Sequence, residues 1–406
     1  MNRGKVRRGW NCLAAALAGA AAIAACQEKL TAPGECPDFC PGGYEIRDTV
    51  LLPAAGMDSS YEGYLLAGQG VSLRVSDRLP ASEDRAILRF SPRGDSILVD
   101  SLRPYTIDSV AIELSVVYRD TLVSQPIIYL FRLPASVDST TTFAQVESAF
   151  SPASIVDSFV VPDSLRFPRL RAVFDDSASL ARVAIPPADS GVLALGVKLV
   201  APSPTGIRIG SAAGGSATPT FVTYVTVIFP DSTAKRAFSL TPRFNTFVSQ
   251  NPPALDPNLL TVGGAPSARS LLRFPFPARL RDSVTILRAT LDLVPSAPIE
   301  GLRGDSAFLE VRPVLADLGA KSPVASTTFA ERALPLGSAD TVSVEVVRLV
   351  RIWQSASGQT FPPALFLRLL PEAQSFTRVA FGSSRTPGMV PALRLTYALN
   401  FPFANP

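Results

Sequence analysis

The sequence predicts an all-β chain that forms two tandem jelly-roll-like β-sandwich domains, and three observations support this prediction. Short apolar runs are separated by turn-forming residues throughout the 406 residues, which include 37 Pro and 26 Gly. Within many runs apolar and polar residues alternate, as they do in a strand with one buried face. Several runs also recur in the same order about 170 to 186 residues later, which indicates a duplication.

The clearest repeated stretch lies at 85–90 and again at 269–274, and each copy reads as a strand. In the first copy, the period of two residues places Leu88 and Phe90 on one face and Arg89 on the other. The second copy divides in the same way. Each copy is therefore predicted to face the core of its own domain.

Further repeated landmarks set the predicted domain boundaries. The pairs are Val110–Leu114 with Ala289–Leu293, Thr140–Ala144 with Ser326–Ala330, Val197–Leu199 with Leu367–Leu369, Arg208–Ser211 with Ala380–Ser383, and Thr223–Tyr224 with Thr396–Tyr397. They predict a first domain over 44–229, a linker over 230–240, a second domain over 241–400 and a tail over 401–406.

The N-terminus has the layout of a secretory signal, with a basic segment over 1–10 and an apolar, alanine-rich segment over 12–25. The apolar segment is short for a bilayer-spanning helix, which needs roughly 20 residues. The run Ile23-Ala24-Ala25-Cys26 resembles the bacterial lipoprotein signal. This resemblance implies cleavage after residue 25, lipid on Cys26 and attachment to a membrane, and Gln27 favours the outer membrane of the cell envelope.

Residues 26–43 read as the lipidated cysteine and a flexible tether, because they are polar and contain Pro and Gly. Cys36 and Cys40 are predicted to form a disulfide in an oxidising envelope. A metal site is the alternative, but two thiolates supply only half of a zinc coordination shell. We therefore predict no bound metal and no cofactor.

Charge and composition exclude several function classes. The formal net charge is +4, but residues 1–25 hold four basic residues and no acid, so their removal leaves 34 bases and 34 acids. A balanced chain has no general attraction for phosphate backbones, so no nucleic-acid partner is predicted. The chain contains no histidine, which removes Ser-His and Cys-His catalytic pairs.

The second half carries a resemblance to a known family. A helical turn with Val346, Leu349, Val350 and Trp353 on one side follows the strand at 269–274 and precedes Ser384-Arg385 and the run Pro391–Tyr397. This order resembles the DNRLRE-type (disaggregatase-related) domain, a carbohydrate-binding-module-like β-sandwich. Thr386 stands where that family has Glu. In the first half, Pro186-Pro187 follows Ala184, and the turn is predicted to be lost or remade there.

Arg89, Arg273 and Trp353 are the candidate binding residues. The two arginines form either a cationic patch for acidic sugars or cross-strand ion pairs, Arg89 with Glu113 and Arg273 with Asp292. Trp353 is either a sugar-stacking platform or a core residue of the helical turn. No catalytic residue is predicted, because the adjacent acids at 175–176 read as a solvated loop.

The resemblance implies a non-catalytic binding role, with carbohydrate or another surface polymer as partner. A structural or protein-docking role in the envelope is the alternative, and a polysaccharide-degrading enzyme or its accessory subunit is the third hypothesis. Asp-Ser and Asp-Thr pairs recur before aliphatic residues, as at Asp108-Ser109 and Asp340-Thr341. They read as turn residues, and alternatively they resemble O-glycosylation acceptors.

Overall fold

A computed structural model describes residues 45–63, 67–79, 83–91, 96–99, 101–184, 191–250, 252–305, 307–354 and 361–399, without the side chains of 96–98. Structural statements below concern these residues. The predicted signal peptide, the tether with Cys26, Cys36 and Cys40, and the tail lie outside them. The all-β prediction is confirmed, because the described chain is built from antiparallel sheets with a few short helices.

The elements follow one another along the chain. The strands are β1 Ile46–Leu51, β2 Asp58–Glu62, β3 Ser72–Asp77, β4 Glu83–Phe90, β5 Ser96–Leu98, β6 Leu102–Arg119, β7 Ile127–Leu133, β8 Ile155–Val160, β9 Arg169–Phe174, β10 Leu193–Val200, β11 Thr205–Gly210, β12 Thr220–Ile228, β13 Thr233–Leu240, β14 Phe244–Gln250, β15 Leu259–Gly263, β16 Ala268–Arg273, β17 Val284–Leu293, β18 Phe308–Pro313, β19 Ala330–Ala333, β20 Val342–Glu345, β21 Ala364–Leu370, β22 Arg378–Gly382 and β23 Ala392–Leu399. The α-helices are α1 Phe143–Val146, α2 Ser177–Val183, α3 Ala278–Asp282 and α4 Val347–Arg351.

The sheets divide the strands into two sets, which we call the first and the second module. In the first module, the order β14-β4-β10-β7-β8 packs against the order β13-β12-β6-β11-β3, to which β5 and β9 add through β6. In the second module, the order β1-β23-β17-β20 accompanies the order β19-β18-β21-β16-β15-β22, to which β2 adds through β16. The first module therefore consists of β3–β14, and the second of β15–β23 with β1 and β2.

The core of the first module lies between its two sheets. Ala86, Leu88 and Phe90 of β4 belong to this core, which confirms the predicted face. The opposite face of the same strand is also covered, because Ile87 packs with Phe143 in α1 and other apolar side chains of the segment after β7. Both faces of β4 are thus buried, although the alternation of apolar and polar residues in its sequence indicates only the face toward the core between the sheets.

Apart from β5, which has no counterpart among the described strands, the two modules repeat one another in strand order and pairing. In the first, Arg89 of β4 lies opposite Ala194 of β10; in the second, Arg273 of β16 lies opposite Ala364 of β21. The predicted pairing of 208–211 with 380–383 also has a physical basis, since a Cβ on Gly210 or on Gly382 would collide with backbone of the turn that follows. These equivalences support the duplication.

Strand exchange is the main difference from the predicted organisation. Strand β2, which lies in the predicted first domain, pairs with β16, and β14, which lies in the predicted second domain, pairs with β4. Most of the predicted linker forms β13, which pairs with β12. The segment β1–β2 thus completes the second module, and the equivalent segment β13–β14 completes the first, each by adding one strand to either sheet.

The exchange brings the two ends of the described chain into one sheet. Strand β1 is the neighbour of β23, and the Thr396 hydroxyl donates to the Asp48 carboxylate at 2.6 Å. Residues Asp48–Tyr397 form one compact unit. Outside this unit, the Arg47 guanidinium donates to the Glu45 carboxylate at 2.8 Å.

One prediction about the repeat is wrong, and a second concerns the helical turn that was expected to be lost or remade in the first half. Ser326–Ala330 does not correspond to Thr140–Ala144, because Phe143 lies in α1 whereas Ala330 begins β19, whose register on β18 makes it the equivalent of β8. The first half has also kept a helix: α2 ends at Val183, before the prolines. Its N-cap is Asp176, whose carboxylate accepts from Ala178 N and Ser179 N at 2.9 and 3.0 Å.

Candidate functional site

A polar cleft lies in the second module, where two sheet edges meet. Strand β19 ends one sheet and β20 ends the other, and the space between them forms a cleft of about 410 Å³. Both strands are only four residues long. We call this the edge cleft. Its lining side chains come from β17, β19 with the residue before it, β20 and α4, and include Arg288, Phe329, Glu331, Arg332, Glu345 and Arg348.

The charges of the edge cleft are unevenly paired. Arg288 lies 3.5 Å from Glu345, and both side chains are largely exposed. Glu345 also accepts from Ala289 N and from Val347 N, each at 3.2 Å. Arg332 and Arg348 are exposed, and neither has a carboxylate within 4.0 Å among the described residues. Three guanidinium groups against two carboxylates give the cleft a net positive charge.

An aromatic ring lies at the rim of the edge cleft. Phe329 is 44% exposed and the guanidinium carbon of Arg312 lies 5.1 Å from its ring centroid. Arg312 is fixed in turn, because it donates to Glu310 and to the carbonyls of Ala325 and Ser326. The phenyl ring is therefore held against a rigid cation while one part of it faces solvent.

Glu310 orients two arginines behind Phe329. It is almost fully buried and accepts from Arg312 and from Arg368, which lies directly opposite it across the strands. Burial raises the pKa of this carboxyl, but the hydrogen bonds from Arg312 and Arg368 outweigh burial and bring the pKa below its usual value. Glu310 therefore remains a carboxylate and keeps Arg312 in place.

A second cleft, of about 350 Å³, lies where the two modules meet and is largely apolar. Leu79 of the first module lines it together with Ile299, Leu302 and Phe376 of the second. Nearby, burial raises the pKa of Asp305, whose carboxylate accepts from Phe376 N at 2.7 Å. Because its exposed lining is apolar and its polar neighbour serves the backbone, this cleft has fewer means of recognising a polar ligand than the edge cleft.

None of the three predicted binding residues lines the edge cleft. Arg89 is half-buried and donates to the Val137 carbonyl at 3.3 Å, beneath the segment that covers its sheet. Trp353 is 3% exposed and packs edge-on against Phe276 and close to Phe274. Its ring is therefore part of the core, as the alternative interpretation held, and it offers no face to a sugar.

The predicted ion pairs are wrong, although each acid has an arginine partner. Glu113 contacts Arg169 at 2.6 Å, and Asp292 contacts Arg394 at 2.6 Å. Strands β4 and β6 belong to opposite sheets of the first module, and β16 and β17 to opposite sheets of the second. The sequence pattern places a residue on a face, but it does not show which strand lies beside it.

Arg273 has Asp317 as its partner, with contacts of 2.5 and 2.8 Å through two nitrogens. We expect Arg273→Asp and Asp317→Arg each to lower the free energy of unfolding by about 1 kcal/mol, and the double exchange to recover most of the loss. Urea unfolding of the three variants measures this. If the loss of stability in the double variant equalled the sum of the losses in the two single variants, the two side chains would not be coupled.

The same pair predicts a pH dependence. The hydrogen bonds from Arg273 hold the pKa of Asp317 below its usual value, with burial acting in the opposite direction. A lowered folded-state pKa gives stability that is present above the unfolded pKa, about 3.9, and is lost as pH falls through the folded pKa. Asp317→Asn should therefore reduce the difference in stability between pH 6 and pH 3.

Sequence reasoning missed the edge cleft because its residues come from four separate elements. Phe329 was part of a landmark, and Arg348 was part of the helical turn, but neither pattern indicated exposure. The only local signal is that Glu331, Arg332 and Glu345 place charges on strands that end their sheets, and edge strands commonly carry charge for protection alone.

Comparisons with known proteins provide no relative from which to take a function: no family model, no curated protein and no solved structure matches the chain. Within the ranges that the structure describes, no group of three His, Cys, Asp or Glu side chains is placed to hold a metal ion. None of the helices described there reaches the length and apolarity that a bilayer crossing requires.

Proposed function

We propose that the protein is a non-catalytic binding protein of the cell envelope, held to a membrane by lipid on Cys26, and that its edge cleft binds a surface polymer. Carbohydrate carrying anionic groups is the ligand that the cleft suits best. The observation that carries this proposal is the combination of exposed Phe329 with Arg332 and Arg348, two cations that have no carboxylate within 4.0 Å in the part of the chain that the structure describes.

Each element of the cleft matches a part of such a ligand. A sugar ring presents C–H groups that pack on an aromatic face, and Phe329 supplies that face. Carboxylate or sulfate groups pair with guanidinium groups in two-point contacts, which Arg332 and Arg348 are exposed to make. The unpaired backbone groups along the outer sides of β19 and β20 offer donors and acceptors for hydroxyls.

The carboxylates of the cleft favour binding over hydrolysis. A glycosidase needs two carboxyl groups held across the scissile bond, one of them with a raised pKa. Glu345 instead accepts from two backbone N–H groups and lies close to Arg288. Such a carboxylate stabilises the start of α4 and the adjoining strand, as a structural group does.

Binding to polygalacturonate tests the proposal. We expect the protein to bind this polyuronate and to bind it less as salt rises, because exposed charges are screened. The double variant Arg332→Gln/Arg348→Gln should bind about tenfold more weakly, a loss of roughly 1.4 kcal/mol. Phe329→Ala should weaken binding by a similar factor. Isothermal titration at two salt concentrations measures all three.

The matched control is Arg236→Gln, which removes an equally exposed arginine from β13 in the first module. It should leave the affinity unchanged. Equal weakening by the control and the cleft variants would assign the interaction to net charge rather than to the cleft. Binding of a neutral glucan with the same affinity would remove the anionic part of the proposal and leave the carbohydrate part.

The second candidate is docking of another envelope protein by strand addition. It is favoured by one observation, that β19 and β20 both end their sheets and face the same cleft. Replacing Ala333 or Ser343 with proline removes an outward-facing backbone donor at an edge while keeping the arginines, because the inward-facing donors are the neighbouring positions in register with Leu334 and Val346, which donate to Ala307 and Ala289. Loss of a co-purifying protein in these variants, with polyuronate binding retained, would favour docking.

A further inference from the structure

The exchanged segments β1–β2 and β13–β14 occupy equivalent grooves, so backbone pairing alone permits two arrangements. Asp58–Glu62 and Asn245–Ser249 pair with β16 and β4 in the same register. Each segment can therefore pair with either module. One is the module that it completes in this structure, and the other is the module that follows it in the sequence. We propose that three pairs of equivalent positions, 58 with 245, 60 with 247 and 62 with 249, select the observed arrangement. This inference does not depend on the proposed binding function.

Position 58 carries a carboxylate that the second module is built to receive. Asp58 is 1% exposed and accepts from the backbone N–H and the hydroxyl of Ser384, at 2.5 and 2.8 Å. Arg385 approaches the same carboxylate at 3.3 Å. An amide in this position has one oxygen and no charge, so it would leave Arg385 without its partner.

The equivalent position 245 requires an amide. The Asn245 side chain accepts from Ala212 N at 2.6 Å and donates to the Gly68 carbonyl at 3.0 Å. A carboxylate has no proton to donate, so Asp58 in this groove would direct an oxygen at the Gly68 carbonyl oxygen. Because the site is buried, that contact is repulsive and unsolvated.

The second pair of positions differs in size and polarity. The Ser60 hydroxyl lies 3.0 Å from the hydroxyl of Ser270 directly opposite and accepts from Thr261 N at 2.8 Å. Phe247, at the equivalent position, lies opposite Ala86 and packs into the core of the first module. Exchange would place a phenyl ring on the Ser270 hydroxyl and leave a cavity above Ala86.

The third pair of positions sets charge against charge. Ser249 lies opposite the fully buried Asp84 and donates to its carboxylate at 2.5 Å. Glu62 lies opposite the uncharged Ala268 and interacts electrostatically with Arg378. In the alternative arrangement Glu62 would lie directly across from Asp84, and like charges directly opposite each other on neighbouring strands are destabilising.

The selection determines which module β1, the first strand of the chain, joins. The chain that follows residue 44 continues into β1, at one edge of the sheet β1-β23-β17-β20, and the edge cleft borders β20 at the other edge. Strand β1, the first strand of the chain, and the cleft therefore belong to the same module. The first module is an insertion between β2 and β15, so the polypeptide passes through it before it reaches β17, β19 and β20, although β1 and β20 share a sheet.

Disulfide trapping tests the arrangement in the full chain with all four native cysteines replaced by serine. Ser60→Cys/Ser270→Cys should form a disulfide within one chain, because the two hydroxyl oxygens are 3.0 Å apart. Ser60→Cys/Ala86→Cys, the pairing of the alternative arrangement, should remain reduced. Non-reducing electrophoresis and peptide mass analysis report both results. A disulfide between positions 60 and 86, or one between positions 60 and 270 of two different chains, would overturn the proposal.

Competition tests the selecting residues. In the triple variant with cysteine at 60, 86 and 270, refolding under oxidising conditions should join position 60 to 270. Adding Asp58→Asn and Glu62→Ser should lower the ratio of the 60–270 to the 60–86 disulfide at least tenfold, whereas the control Ser59→Ala leaves it unchanged. An unchanged ratio overturns the selection. If that variant does not refold, Asn245→Asp/Ser249→Glu tests the same selection from the segment β13–β14, with cysteine at 247, 86 and 270. If position 247 still forms its disulfide with position 86 rather than 270, the selection is overturned.

Discussion

Deleting residues 45–63 is expected to unfold the second module while the first module keeps its fold. The deletion removes β1 and β2, so β23 and β16 each lose a neighbouring strand. It also leaves the buried Ser270 hydroxyl and the Arg385 guanidinium without the partners that Ser60 and Asp58 provide. We expect a loss of at least about 5 kcal/mol, which is comparable with the whole stability of a typical domain.

Thermal unfolding followed by circular dichroism, with limited proteolysis, measures this effect. The intact chain should resist proteolysis over both modules, whereas the deletion variant should be digested from β15 onward and protected over 67–250. The fragment 67–250 is the matched control, because it contains every strand of the first module and should fold by itself. If the deletion variant resisted proteolysis as well as the intact chain, β1 and β2 would not be needed for the fold of the second module.

The fold class could be predicted because alternation is a local property. The faces of Leu88 and Phe90 follow from a period of two, and the buried side of the helical turn with Leu349 and Trp353 follows from a helical period. Neither inference needs any knowledge of distant residues. Burial of these side chains in the structure agrees with both.

The strand exchange could not be predicted, because it depends on which of two equivalent grooves the segments β1–β2 and β13–β14 enter. Repeats of a duplicated sequence have the same alternation, so the pattern fits either arrangement. What distinguishes the arrangements is a set of contacts between residues far apart in sequence, such as Asp58 with Ser384 and Phe247 with Ala86. Single positions of this kind have no periodic signal.

The candidate site was missed for a related reason. Arg273 and Trp353 were chosen as conspicuous residues of a recognisable motif, and the structure uses them for an ion pair with Asp317 and for packing on Phe276. Phe329 and Arg332 have no motif of their own. They form a cleft only because β19 and β20 end different sheets at the same place.

Arg74→Ala is expected to be the most destabilising single substitution in the first module, at about 3–5 kcal/mol. Arg74 is 1% exposed, and two of its nitrogens donate to the fully buried Asp84 at 3.0 and 2.7 Å. A third nitrogen donates to the Ser375 carbonyl at 2.9 Å, and the guanidinium carbon lies 4.8 Å from the ring centroid of Phe376. The substitution leaves a buried carboxylate without its cation and removes a link between the modules.

Urea unfolding at pH 7 measures the loss, and two further variants show its cause. Arg74→Met/Asp84→Leu removes both charges while keeping much of the volume, and it should lose far less than Arg74→Ala, because no unpaired charge remains buried. Arg169→Ala breaks a pair whose arginine is 59% exposed, and it should cost less than about 1 kcal/mol. If Arg74→Ala lowered the free energy of unfolding no more than Arg169→Ala does, the buried ion pair would contribute no more to stability than the exposed one. If Arg74→Met/Asp84→Leu were as unstable as Arg74→Ala, the loss would be due to packing and to the contact with the second module. The double variant also lacks the hydrogen bond to Ser375 and the cation over Phe376.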